Sequence, residues 1–175
     1  MATPAHNPAL ALWNALNADD AAHDILPCCG SRAWATALAA RRPFAEAAQL
    51  FLASDEVWAG LPEPAWYEAF ASHPRIGQQH ARSATAQSLT WSSAEQSAAM
   101  SEEETTKLAL ADANRQYEER FGRIFIVCAS GKSAAEILGI LNTRMQNSPE
   151  AELLEAAEQQ RQITQHRLRR WLGVN

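Results

Sequence analysis

The chain has 175 residues, 47% apolar and 20% charged, which fits one globular domain over residues 1–175 and leaves too little for two comfortable ones. A formal net charge of −5 makes the chain a poor candidate for binding a phosphate backbone, so no nucleic-acid partner is expected. No apolar run approaches the ~20 residues of a membrane helix, so no membrane partner is expected either.

Three cysteines, Cys28, Cys29 and Cys128, are too few and too oddly spaced for a disulfide framework, which points to a reducing compartment. The first twenty residues lack a basic stretch ahead of their apolar part, and Leu-Gly-Val-Asn at the end is no peroxisomal signal. A cytoplasmic location follows as the expectation.

Alanine is abundant and only 7 residues are glycine, so the fold class is read as all-α, a single compact multi-helix domain. In chain order, Asn17 opens a helix that stops at Pro27, and Ser31 opens another that ends before Pro43. Ser54 is read as the start of a short segment carrying Val57 and Trp58. Pro62 and Pro64 set up a helix through Trp66, Tyr67 and Phe70. Residues 71–92, rich in Ser, Gln, His and Thr, read as a long loop of the kind that often carries function.

Ser101 with Glu104 fits a capping box ahead of Leu110, Ala113, Tyr117 and Phe121. Ser133 with Glu136 fits a second, leading into Ile137, Leu138, Leu141 and Met145. Ser148-Pro149 opens the last helix, proline at its first position. Between these helices, Ile124-Phe125-Ile126-Val127-Cys128-Ala129 is one short extended segment bounded by Gly122 and Gly131. A lone strand has no ladder partner, so its backbone groups must bond elsewhere, and a ligand is one possibility.

Candidate chemistry begins at His73-Pro74-Arg75-Ile76-Gly77. Pro74 pushes His73 out of helical backbone, and histidine suits proton transfer near neutral pH. The competing reading is a histidine that caps a helix C-terminus. Ser92-Ser93-Ala94-Glu95-Gln96 reads as a capping box in which Ser92 caps and Glu95 answers. It also reads as a site in which Glu95 orients His73 and Gln96 meets an amide-like ligand edge.

Ser130-Gly131-Lys132-Ser133 lacks the earlier glycine of a phosphate loop, since that position is Ile126. On a helical wheel of ~100° per residue, Leu153, Leu154, Ala156, Ala157, Ile163, Leu168, Trp171 and Leu172 form one apolar arc. Arg167 falls inside it and Arg161 at its edge. A buried guanidinium needs an acceptor, either an internal carboxylate or a bound anion. No metal site is expected: His73 and His80 are separated by a proline and a glycine, and adjacent Cys28-Cys29 cannot chelate as a spaced pair.

Taken together, residues 26–34 (Leu-Pro-Cys-Cys-Gly-Ser-Arg-Ala-Trp), 73–77, 92–96, 114–122 (Asn-x-x-Tyr-x-x-Arg-Phe-Gly), 124–134 and His166-Arg167-Leu168 resemble one family over nearly the whole chain. It is the decarboxylase family acting on 2-oxo-4-hydroxy-4-carboxy-5-ureidoimidazoline (OHCU), which completes the conversion of urate to allantoin. The resemblance implies an all-α homodimer with a small-molecule substrate and neither metal nor organic cofactor. It implies His73 as the catalytic acid, Glu95 as its partner carboxylate and Arg167 as the arginine that orients the substrate. Substrate contacts are implied at Pro74, at Ser92, Ser93, Ala94, Glu95 and Gln96, and at Phe125, Ile126, Val127, Cys128 and Ala129. Gln78 departs from the pattern, standing where an acidic residue is frequent. The rival readings are a helical scaffold protein and a hydrolase that activates water on a related ureido heterocycle.

Overall fold

In the computed structural model, which describes residues 7–76 and 104–174, all regular structure is helical. Among those residues there are eight α-helices: α1 Pro8–Ala15, α2 Ala18–Ile25, α3 Arg32–Ala39, α4 Ala47–Ala59, α5 Glu63–Ala71, α6 Glu104–Phe121, α7 Ala134–Arg144 and α8 Pro149–Leu172. A 3-10 turn, Leu26–Cys28, follows α2. The described residues include no helix long and apolar enough to cross a membrane. Ser92–Gln96, Gln78, His80 and Ser101 lie outside the described residues.

Most helix starts follow the local signals. Asn17 Oδ1 accepts from the Asp20 amide at 2.9 Å, and Ser31 Oγ accepts from the Trp34 amide at 3.3 Å. Each satisfies an amide that the first helical turn leaves without a partner. Ser133 and Glu136 form the reciprocal box at the head of α7, and Ser148 caps α8 ahead of Pro149. Helix α1 was not anticipated, although Asn7-Pro8 carries its signal. Asn7 Oδ1 accepts from the Leu10 amide at 3.0 Å, and Pro8 takes the first helical position.

Ser54 is a correction. It lies inside α4, is 1% exposed and accepts from Trp34 Nε1 at 3.3 Å. The helix begins seven residues earlier, where Gln49 Oε1 accepts from the Ala45 and Glu46 amides at 2.9 and 3.3 Å. Serine also serves as a buried acceptor for an indole N–H, and its sequence context did not separate that use from capping.

The chain divides into two compact units, residues 1–69 with 161–175, and residues 70–160. The first unit packs Trp13, Trp34, Ile25, Leu38 and Leu50, all buried. Trp13 donates to the Ala21 carbonyl at 2.9 Å and meets Trp171 edge-on with ring centroids 5.7 Å apart. Arg42 gathers the carbonyls at the end of α1, reaching Trp13 O at 2.6 Å and Leu16 O at 2.8 Å.

The second unit packs α6 and α7 around residues 124–129. Its core holds Leu110, Ala113, Tyr117, Phe125, Val127, Ile137 and Leu141. As expected, 124–129 is extended and joins no sheet among the described residues. Gly122 and Gly131, with φ of +70° and +74°, make the turns on either side of it, a backbone region that L-residues rarely enter.

Candidate active site

His73 is placed by the end of α5. Its amide donates to the Phe70 carbonyl at 3.1 Å, and Pro74, buried, follows at once. Its half-buried ring extends to α8, where Nε2 lies 2.7 Å from Oε1 of Gln160, a residue with no exposed surface. Two residues on, Arg75 grips Glu118 of α6 through Nε and Nη2, the latter at 2.7 Å from Oε2. The hydrogen bond and charge of Glu118 raise the Arg75 pKa, so this clamp stays charged. Ile76 packs against the core of the unit. The stretch from His73 to Ile76 is thus held at each residue.

Phe125, Ile126, Val127, Cys128 and Ala129 are all buried, and much of their backbone is engaged by side chains. Arg144 Nη1 donates to the Ile126 carbonyl at 2.6 Å. The Cys128 amide donates to Gln159 Oε1 at 2.9 Å, and its carbonyl accepts from Lys132 Nζ at 2.9 Å. Arg144 in turn pairs with Glu152 at 2.5 Å, their side chains 6% and 0% exposed. Glu152 also accepts from Tyr117 Oη at 2.5 Å and from Asn147 Nδ2 at 2.9 Å. Burial, and then the hydrogen bond to Glu152, push the Tyr117 phenol well above its ordinary pKa, so it remains a neutral donor.

Consecutive residues of α8 therefore serve both features. Gln159 holds the extended segment and Gln160 holds His73.

Arg167 belongs to the other unit. It has no exposed surface and donates to the Pro27 carbonyl at 3.3 Å. The Leu-Pro-Cys-Cys turn lies beside it, with Cys28 and Cys29 fully buried. Burial pushes the Cys29 thiol up to about 12 against the opposing pull of the Ser31 amide, Thr164 and Arg167. Cys28 is raised by the same cause, with Arg167 again opposing. Two neutral thiols and the Pro27 carbonyl are thus among the groups near this cation.

The wheel that singled out Arg167 is right about its burial and about Arg161, which is half-exposed and pairs with Asp55 at 3.0 Å. It is wrong about Leu154, which is 64% exposed. The buried stripe is rotated toward Glu152, Ala156, Gln160, Ile163 and Arg167, each no more than 4% exposed. Sequence reasoning missed Glu152 with its partner Arg144, and Gln160 with its contact to His73. The usable signal was the spacing of Glu152, Gln160 and Arg167, eight and seven residues apart on one helical face.

Within an all-helical frame, the second unit thus fastens a half-buried histidine beside a strip of backbone engaged by side chains, and the first unit separately buries an arginine. The family model for OHCU decarboxylase matches residues 14–169, and the chain belongs to that family. It is 36% identical over 142 residues to the uric acid degradation bifunctional protein TTL of Arabidopsis thaliana, covering 81% of this chain and 44% of that protein. The chain thus spans less than half the length of that curated relative.

A crystal structure of OHCU decarboxylase in the presence of (S)-allantoin matches with a TM-score of 0.75 and 31% identity, over 86% of this chain and 98% of that one. A crystal structure of (S)-allantoin synthase matches with a TM-score of 0.68 over 93% of this chain and 53% of that one. At 19% identity, that second likeness is one of fold.

Proposed function

We propose that this chain decarboxylates OHCU to (S)-allantoin, with His73 as the general acid and no metal or organic cofactor. The observation that carries this reading is the family match over residues 14–169, a span that contains His73, Glu95 and Arg167. The fixed position of His73 supports it, since a proton donor must be aimed as well as charged.

The substrate supplies its own electron sink. As the bond to the carboxylate breaks, its electron pair passes into the adjacent ring C=N and CO2 departs. The carbon that bears the ureido group then takes a proton, and delivery to one face sets the (S) configuration. The protein need supply only position, charge and that proton.

In this scheme Arg167 orients an anionic or carbonyl group, and Glu95 faces His73 and favours its protonated form by opposite charge. Pro74, Ser92, Ser93, Ala94 and Gln96 line the substrate. So does the strip Phe125 to Ala129, where the Ile126 carbonyl and the Cys128 amide already have protein partners. In this reading Gln96 and backbone groups near Ile126 and Cys128 meet the ureido and ring amides.

The same reading makes the chain one working domain over residues 1–175, a cytoplasmic protein and a homodimer. Sedimentation analysis at micromolar concentration tests the dimer, and a monomer there removes that part alone.

The experiment that tests the activity follows freshly generated OHCU by circular dichroism, with and without the chelator-treated protein. Rapid growth of the (S)-allantoin signal with release of CO2 is expected. Decay at the spontaneous rate to racemic product from folded protein would overturn the proposal. Substrate loss without CO2 would indicate the hydrolase.

A further inference from the structure

We propose that the second unit carries a regulatory site for a small organic amine, in a cavity of about 530 Å³ walled in part by Lys132, Gly139, Ile140, Arg144 and Glu155, and that the site acts on the extended segment. The effect on catalysis rests on the reading of that segment as a substrate contact. The binding itself does not.

The cavity stands out because its wall residues include the anchors of the segment's backbone. Arg144 Nη1 donates to the Ile126 carbonyl at 2.6 Å, and Lys132 Nζ donates to the Cys128 carbonyl at 2.9 Å. Glu155 Oε1 accepts from Gln159 Nε2 at 2.9 Å, and Gln159 Oε1 accepts from the Cys128 amide at 2.9 Å. A molecule in the cavity therefore meets side chains that set the position of Ile126 and Cys128. Gly139 adds room. Glycine is disfavoured inside a helix, yet Gly139 lies within α7. Among the described residues, a Cβ there would meet nothing within 4 Å.

The charges of the wall select the ligand. Arg144 is paired with Glu152 at 2.5 Å. Glu136 caps α7, accepting from the Ser133 amide at 2.7 Å, and also feels the charge of Lys132. Glu155, half-buried, holds a neutral amide, and no ion pair among the described residues includes it. A carboxylate beside the aliphatic Ile140 and the open face of Gly139 suits a primary ammonium on a short alkyl chain. The ammonium competes with Gln159 for Glu155 and repels Lys132, so it weakens both holds on Cys128.

The probe is n-butylammonium chloride on the full chain, against sodium chloride at equal ionic strength. Amide NMR should show saturable shifts at Gly139, Glu155 and Cys128 in the millimolar range. At saturation the KM for OHCU should rise by about fivefold or more, the lower end of ordinary coupling between sites, with kcat little changed. Glu155→Gln keeps an acceptor for Gln159 but removes the charge, and should abolish the shifts. Gly139→Cys alkylated with N-ethylmaleimide plugs the cavity and should abolish them too, while the native cysteines, all buried, stay unlabelled.

No saturable shift in wild type overturns the proposal, and so do shifts that survive in either variant. Shifts with an unmoved KM overturn the regulatory role. A chain that turns over no OHCU, yet shows the Cys128 shift and loses it in both variants, would sink the proposed activity and leave the amine site standing.

Discussion

Arg144 and Glu152 form a buried ion pair, 2.5 Å apart with side chains 6% and 0% exposed, and through it Arg144 holds the carbonyl of Ile126. The pair joins α7 to α8 and sets the height of the extended segment between them. Glu152→Ala leaves the Arg144 charge buried and uncompensated, and also strips Tyr117 and Asn147 of their acceptor. A loss of about 3–5 kcal/mol of stability is expected. Urea denaturation checks it, and a variant within about 1 kcal/mol of wild type, the scale of an exposed pair, would show that the pair is not buried in solution.

His73→Ala should lower kcat by at least about a hundredfold, the smaller end of what a positioned acid contributes. Its circular dichroism spectrum and melting temperature should stay near those of wild type, because the half-buried ring is not part of the core. Glu95→Gln should cost less and move the pH profile. Without the carboxylate the imidazolium is less favoured, so the acidic form is lost at lower pH. An unchanged profile would return Glu95 to the role of a helix cap.

Ser54 offers a check on the packing of the first unit. Ser54→Ala removes the acceptor of the Trp34 indole and should cost about 1–3 kcal/mol. Ser54→Asp places a carboxylate where the side chain is 1% exposed and should cost more than about 3 kcal/mol. A helix N-cap would accept aspartate without loss, so a stable Ser54→Asp protein would contradict the position of Ser54 inside α4.

The vicinal thiols should be chemically silent. In folded protein near pH 8, Cys28, Cys29 and Cys128 are buried, and alkylating reagents should label them only after unfolding. Cys29 ionises at about 12 when folded, against an ordinary value of 9.0. The folded state therefore holds its proton where the unfolded state loses it. This contribution to stability is complete below pH 9 and declines as pH rises from 9 toward 12. Melting temperatures measured from pH 8 to 11 should fall less steeply for Cys29→Ala than for wild type. Equal slopes would mean that this thiol is not held neutral by the fold.

Short-range rules sufficed for much of the architecture. Asn17, Ser31, Ser133 and Ser148 act within three residues of themselves, so their caps could be read directly, and alanine content indicated an all-helical chain. Burial of Arg167 followed from a 3.6-residue period on one helix. What a side chain meets across the fold has no such local signature. Serine 54 could cap or receive an indole hydrogen, and only the approach of Trp34 decided between them. Glu152 and Gln160 look like ordinary polar residues of a long helix until Arg144 and His73 arrive from segments 8 and 87 residues away. A buried polar group is tolerated only when a partner reaches it, and in α8 that partner comes from elsewhere in the chain. The sequence by itself marked most of the helix starts and singled out the histidine; the tertiary structure decided which residues hold that histidine and the extended segment in place.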